Sequence, residues 1–340
     1  MRSQLSSKSF PWLVADIGGT NARFGLVFAP GAAAEHVESL KCADYPTPQA
    51  AATAYLDDLS KRLGRRPRPH HAAIALASAI HGDAVRLTNN PWTVSRDALA
   101  QALGAKRVLL LNDFEALALA LPRLGRDDVS LFGGRAQPDP RAPMAVIGPG
   151  TGLGVSSCVP VADGDWVALA AEGGHVTVAA ADDLESDVLR VLRREYPHVS
   201  AERVLSGLGL PLLHRALCEV RGTPVETLSP EEITQRALVS RDDAALATLD
   251  TFCSMLGTFA GNVALTVGAR GGVFVAGGIA QKLGEHLTGS KFRERFEAKG
   301  RFESYMARIA TGLVIAPHAA LTGAAQGISH ALREAHPGGS

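Results

Sequence analysis

Leu111-Asn112-Asp113-Phe114-Glu115-Ala116-Leu117 is the stretch on which the reading of the fold turns. An apolar run, Val108 to Leu111, stops at an adjacent amide and carboxylate, and an alanine- and leucine-rich helical pattern continues to Pro122. A buried strand that ends in polar residues and passes into a helix is the repeating unit of an open α/β sheet. Such sheets place ligands at the carboxyl ends of their strands. Asn112 offers a donor and an acceptor on one side chain, whereas ionised Asp113 only accepts. The pair suits a polyhydroxylated ligand, with Asn112 fixing hydroxyls and Asp113 taking a proton from one. Either residue equally suits the N-cap of the helix that follows, and on this stretch alone the cap is the simpler reading. Two glycine-rich turns and a second carboxylate cluster shift the balance toward a site.

The first glycine turn lies upstream. Trp12 to Phe28 is two β-like runs around Gly18-Gly19-Thr20-Asn21, a hairpin pattern with Asp16 before the glycines and Arg23 after them. Glycines let backbone N–H groups converge on a phosphate with no Cβ in the way. Asp16 beside such a site would repel phosphate unless a divalent cation stood between, and Mg²⁺ held largely through water is the natural candidate. An isolated Gly-Gly reads first as an ordinary turn, but the pattern recurs. Ala145-Val146-Ile147 runs into Gly148-Pro149-Gly150-Thr151-Gly152-Leu153-Gly154 and resumes through Val155, Val159 and Val161. Neither turn is a P-loop, because the Gly-Lys-Ser/Thr ending is absent, and neither fits the dinucleotide fingerprint. Two such turns, one per expected domain, point to paired clamps on a polyphosphate.

The second carboxylate cluster is Ala171-Glu172-Gly173-Gly174-His175, after an expected strand from Trp166 to Ala170. Two glycines between a carboxylate and an imidazole have little packing purpose in the sequence, so hydrogen bonding to a polar ligand is favoured over zinc ligation. Glu202 follows the N-cap signal Ser200, where it reads first as a dipole-stabilising surface residue. Gly271 to Val275 is a buried strand running into the Gly277-Gly278 turn, which lets an adenosine approach the backbone or simply reverses the chain. Thr88-Asn89-Asn90-Pro91-Trp92 is a polar turn, with pocket lining and plain turn equally open. A last apolar segment, Leu313 to Ala316, precedes a helix near Leu321 to Leu332 expected to cross back onto the first lobe, and Pro337 to Ser340 is expected to fray.

Length and composition set the bounds. A chain of 340 residues exceeds the usual single core, so two domains around a cleft are expected. Lys plus Arg equals Asp plus Glu at 34 each, which leaves no net pull toward nucleic acid or an anionic membrane surface. No apolar run is long enough to span a bilayer. Met1 to Phe10 carries Arg2 and Lys8 with no apolar core behind them, a loose leader and not a signal peptide. The scattered Cys42, Cys158, Cys218 and Cys253 form no CxxC pair, which favours reduced thiols and the cytoplasm.

Asp16-Ile-Gly-Gly-Thr-Asn-Ala-Arg23, Leu111-Asn-Asp-Phe114, Gly148-Pro-Gly-Thr-Gly-Leu-Gly154, Glu172-Gly-Gly-His175, Ser200-Ala-Glu-Arg-Val-Leu-Ser-Gly207 and Ala276-Gly-Gly-Ile279 stand in one order along the chain. Together they resemble the bacterial ATP-dependent glucokinase family of the actin-like/hexokinase superfamily, the non-zinc type, from about Trp12 to Gly327. The resemblance implies an α/β, two-lobed actin-like ATPase (ribonuclease H-like) fold with the active-site cleft between a small and a large α/β domain. Residues 1–122 plus 316–340 would form the small domain and 123–315 the large one. It implies ATP as co-substrate, Mg²⁺, and transfer of the γ-phosphate to the 6-hydroxyl of D-glucose, the first step of glycolysis, by a cytoplasmic enzyme that by family habit is a homodimer. Asp113 then looks like the general base, and Asn112, Asp113, Glu172, His175 and Glu202 like sugar ligands. Asp16, Gly18, Gly19, Thr20, Asn21, Gly150, Thr151, Gly152, Gly277 and Gly278 look like the nucleotide site, with Asp16 holding the metal through water. The chain departs from the family where Ala79 stands for Pro, Ala171 for Gly, and Pro149 for a smaller residue. Those positions bear on sugar affinity and selectivity more than on fold. The rival readings are a kinase for another hexose or amino sugar, and a non-catalytic sugar sensor.

Overall fold

The structure, a computed structural model, describes residues 9–88, 90–134 and 136–335. Met1 to Lys8 of the expected leader, Asn89 of the polar turn and Pro337 to Ser340 of the expected fraying end lie outside the described residues. The chain divides into two compact units, one of residues 1–124, 161–170 and 317–340, the other of residues 125–160 and 171–316.

In the first unit β1 (Trp12–Ile17) pairs antiparallel with β2 (Asn21–Val27), which pairs with β3 (Glu35–Lys41). Helix α1 (Pro48–Leu63) starts on the Thr47 cap and leads to β4 (His71–Leu76). A small hairpin, β5 (Ala84–Arg86) and β6 (Thr93–Ser95), precedes α2 (Arg96–Leu103), β7 (Arg107–Asn112) and α3 (Asp113–Ala120). The sheet order is β3-β2-β1-β4-β7, with β1, β4 and β7 parallel. Period-2 alternation divides the strand residues between two apolar clusters. Leu13, Ala15, Ile17, Ile74 and Leu110 meet α1 and α2 through Tyr55, Leu56, Leu59 and Leu99. Trp12, Val14, Ala73, Ala75 and Leu111 meet Ala116 of α3 and Leu321, Ala324, Ile328 and Leu332 of the C-terminal helix. All six residues of β4 are buried, in keeping with the apolar run from Ala72 to Leu76.

In the second unit β8 (Val129–Leu131), β9 (Met144–Pro149) and β10 (Leu153–Pro160) come first; β11 (Trp166–Leu169) belongs to the stretch that groups with the first unit. Helices α4 (Asp183–Leu192), α5 (Ala201–Val204), α6 (Leu210–Arg221), α7 (Pro230–Gln235) and α8 (Asp243–Val267) follow. Then come β12 (Gly272–Val275), α9 (Gly278–Leu283), α10 (Glu285–Thr288), α11 (Phe292–Glu297), α12 (Glu303–Met306) and β13 (Thr311–Val314). The strands run β10-β9-β12-β13-β8, with β9, β12 and β13 parallel and the two outer strands of this series antiparallel to their neighbours. The long α8 is buried along most of its length and packs on α11 through Gly257, at which a Cβ would overlap the Phe292 carbonyl oxygen. The chain then returns to the first unit as α13 (Ala319–Glu334), the partner of α3. Gly323 makes that pairing close, since a Cβ there would overlap the backbone of Ala116.

Candidate active site

At the junction of β7 and α3, Asn112 Oδ1 accepts the N–H groups of Phe114 (2.9 Å) and Glu115 (3.3 Å). Glu115 Oε2 in return accepts the Asn112 N–H at 3.3 Å, so the two close a capping box. The cap reading of Asn112 is therefore real, and it does more than start a helix. It sets Asp113 as the first residue of α3, half-buried, with Oδ1 2.9 Å from the Phe114 N–H. The positive end of the helix dipole favours a carboxylate at that position. Asn112 Nδ2 donates to the Ser78 carbonyl at 3.2 Å, tying the end of β7 to the segment after β4. Burial pushes the Glu115 carboxyl above the ordinary range, against the pull of the Asn112 N–H.

The first glycine turn joins β1 to β2, closed by Gly18 N–H donating to the Asn21 carbonyl at 2.9 Å. The next two carbonyls are engaged from outside the hairpin. Asn90 Nδ2 donates to Gly19 O (3.3 Å) and the Cys42 N–H to Thr20 O (2.9 Å). The Cys42 thiol lies 3.8 Å from Gly18 O as its donor. Among the described residues, the N–H groups of Gly19 and Thr20 donate to no protein acceptor. The turn thus has its acceptors engaged and two successive donors open, the electrostatic signature of an anion-binding concavity. Asp16 sits one residue upstream of Ile17, across the ladder from Arg23, whose Nη1 donates to Asp16 Oδ2 at 3.1 Å. Burial pushes the Asp16 carboxyl up, with Arg23 and, more weakly, His318 opposing. Among the described residues no group of three or more His, Cys, Asp or Glu is arranged to hold a metal. One carboxylate suits an ion that keeps most of its shell as water and phosphate oxygens, so Asp16 fits Mg²⁺ in that mode and no other.

The second glycine turn, in the other unit, repeats the pattern. Gly150 N–H donates to Gly152 O at 2.8 Å, and Gly150 O accepts the Gly207 N–H at 2.8 Å. Leu153 N–H donates to Glu202 Oε2 at 2.9 Å, while Thr151 and Gly152, among the described residues, donate to no protein acceptor. Gly277 comes against the same turn at φ +93°, where a Cβ would lie 2.8 Å from the Pro149 carbonyl oxygen, and Gly278 opens α9 beside it. That conformation and that approach both require glycine. The segments 149–152, 206–207 and 277–278 therefore converge.

Glu172 to His175 lies along β10. Glu172 bridges to Val155, and a Cβ on Gly174 would overlap the Leu153 carbonyl oxygen. The two glycines do have a packing purpose: they let this segment lie flat on the strand. Pairing of Val176–Val178 with Val199–Ala201 then brings His175 beside the one-turn helix α5, where its Nδ1 is 3.9 Å from Glu202 Oε1. Glu202 is not the solvated dipole partner its sequence position favours; it bridges the second glycine turn and His175. The second unit thus gathers Glu172, His175, Glu202 and the turn at Gly150–Gly152, while the first carries Asn112, Asp113 and the turn at Gly18–Asn21. Sequence reasoning missed Cys42, for which no local signal exists, quoted Gly207 only as the end of a motif, and left Asn90 undecided within its polar turn.

Parallel central strands with a strand–glycine turn–strand unit in each of two sheets agree with the actin-like, ribonuclease H-like α/β class of sugar kinases that comparison with solved structures shows. The chain belongs to the glucokinase family, whose model matches residues 13–331. The glucokinase of Chromobacterium violaceum is 48% identical over 318 residues, covering 94% of this chain and 89% of the relative. That of Paramagnetospirillum magneticum is 46% identical over 313 residues, covering 92% and 96%. The crystal structure of a glucokinase from an Antarctic psychrotroph superposes with a TM-score of 0.86 at 37% identity, over 94% of this chain and 99% of that one. A ROK family glucokinase from Streptomyces griseus, at 19% identity and a TM-score of 0.59 over 93% and 98%, shares the fold.

Proposed function

We propose that this protein is a glucokinase that transfers the γ-phosphate of ATP to the 6-hydroxyl of D-glucose, giving glucose 6-phosphate and ADP, with Asp113 as general base. The observation that carries the reading is the pair of glycine turns, each with two successive open amide donors beside a carboxylate. Phosphoryl transfer asks a protein for alignment and charge neutralisation more than for covalent chemistry. The amides at Gly19, Thr20, Thr151 and Gly152 supply donors for phosphate oxygens, and Gly277-Gly278 leaves room for the adenosine. Mg²⁺, held by Asp16 through water, would neutralise charge on the triphosphate. Asn112, Asp113, Glu172, His175 and Glu202 bind the sugar hydroxyls, and Asp113 accepts the proton of the hydroxyl that attacks. The four cysteines are buried and free of disulfides, which supports a cytoplasmic setting, and the proposed reaction is the first step of glycolysis; no helix among the described residues is long and apolar enough to cross a membrane. Assembly as a homodimer rests on family habit and is read by sedimentation.

The test is coupled turnover with ATP and Mg²⁺ on glucose, mannose, fructose and N-acetylated hexosamines. Strong preference for glucose supports the reading. Preference for another sugar moves the specificity to the neighbourhood of Ala79 and Ala171. Sugar binding without turnover on any of them would make the protein a sensor.

A further inference from the structure

The turn after β5 carries Asn90, which lies 71 residues along the chain from Gly19 and is 7% exposed. Its amide is held at both ends. Oδ1 accepts the Trp92 N–H at 2.9 Å, and Nδ2 donates to the Gly19 carbonyl at 3.3 Å. Trp92, 3% exposed, is itself locked by its indole N–H donating to the Tyr45 carbonyl at 3.0 Å and by its carbonyl accepting the Leu87 N–H at 3.1 Å. The amide plane is therefore fixed before it meets the glycine turn. We propose that Asn90 is a positioning residue for the nucleotide, holding the Gly19 carbonyl away from the face on which the Gly19 and Thr20 amides stand open.

The physical case is the polarity of one peptide group. The Gly19 carbonyl belongs to the same peptide as the Thr20 N–H, so fixing the oxygen on one side fixes the donor on the other. Without that restraint the Gly19–Thr20 peptide is free to turn over, since Gly19 on its N-terminal side tolerates the change, and it would present a carbonyl oxygen where a phosphate oxygen needs a hydrogen bond. Cys42 restrains the neighbouring peptides by donating twice, from its N–H to Thr20 O and its thiol to Gly18 O. Asn90 supplies the side-chain amide that completes the set. The inference rests on the proposed role of this turn as a phosphate clamp, and the experiment separates the two.

Asn90→Ala and Asn90→Ser are assayed with ATP and glucose varied in turn, and ADP binding is measured by calorimetry. A Ser hydroxyl still caps the Trp92 N–H but falls short of Gly19, so it isolates the lost contact if the Ala variant fails to fold. The expected result is a rise of about five- to ten-fold in KM for ATP and in Kd for ADP, the size of one lost hydrogen bond, with KM for glucose unchanged. Unchanged nucleotide constants in a folded Asn90→Ser variant, or equal rises for both substrates, would overturn the positioning role. Thr20→Pro, which removes one open donor, decides the parent reading. If it weakens ADP binding while Asn90→Ser does not, the clamp stands and the role of Asn90 falls. If neither weakens ADP binding, the turn does not hold phosphate at all.

Discussion

Glu202 and Leu153, 49 positions apart, are joined by a 2.9 Å hydrogen bond from the Leu153 amide to Glu202 Oε2, while the other carboxylate oxygen stands 3.9 Å from His175 Nδ1. One side chain thus links the second glycine turn, for which a phosphate is proposed, with the imidazole for which a sugar hydroxyl is proposed. Replacing it should disturb both. Glu202→Ala is expected to lower kcat/KM for glucose by about ten- to a hundred-fold, the range for a hydrogen bond to a charged group. Glu202→Gln, whose amide oxygen still accepts the Leu153 N–H, should lose less. Equal losses in the two variants would remove the bridging role.

Asp113→Asn keeps the size of the side chain and its acceptor toward the Phe114 N–H but cannot take a proton. Turnover should fall about 10²- to 10⁴-fold, the usual span of a general-base contribution, with KM for glucose little changed. Steady-state kinetics decides it, and a variant retaining most of its turnover would remove the base assignment.

Gly323→Ala tests the contact between α13 and α3. Its new methyl would overlap the Ala116 carbonyl, so one helix must shift. Overpacking of this kind costs about 1–3 kcal/mol, seen as a lower Tm in thermal unfolding. Because α3 begins at Asp113, kcat should fall as well. A variant with wild-type Tm would show that the two helices can slide without cost.

Acid should weaken the fold through two buried imidazoles. Burial lowers the pKa of His214, which hydrogen-bonds to Thr248 Oγ1 at 2.9 Å, and of His71, whose charged neighbours Lys106 and Arg107 add to the effect. The unfolded state then binds the proton more readily, so stability rises with pH in this window. The contribution is complete above the ordinary value of 6.5 and is lost as pH falls below it toward the depressed folded values. Denaturant melts between pH 8 and 5 should show this slope, and His214→Gln should flatten it. An unchanged slope in that variant would place the acid sensitivity elsewhere.

The strand–turn–strand units and the β7–α3 junction were legible because each is local: an apolar run, a break in periodicity and a glycine or capping residue within a few positions. Asn112 shows the limit of such signals, since cap and ligand use the same residue type at the same place, and the structure shows the cap in full. Glu202 misled for a related reason. Its position in the first turn of α5 explains it completely until the fold brings Leu153 to it. Gly173 and Gly174 pointed to a site by their apparent lack of packing purpose, yet their purpose is the close approach to Leu153 and Val155. Asn90 reaches Gly19, Cys42 reaches Thr20 and Gly207 reaches Gly150 only through the tertiary fold, so no window of sequence contains those contacts.

The pairing of α13 with α3 and the first sheet has a consequence for synthesis. Residues 125–316, apart from the return at 161–170, intervene between the first unit's strands and the helix that covers one of their faces. While the ribosome is still making that intervening chain, Trp12, Val14, Ala73, Ala75 and Leu111 have no Leu321, Ile328 or Leu332 to pack against. The N-terminal part, residues 1–124, must wait with an open apolar face until nearly all of the chain has emerged. This reverses the order in which multidomain chains usually complete their folding. A nascent chain stalled before Ala319 should therefore recruit holdase chaperones, and one released after Glu334 should not.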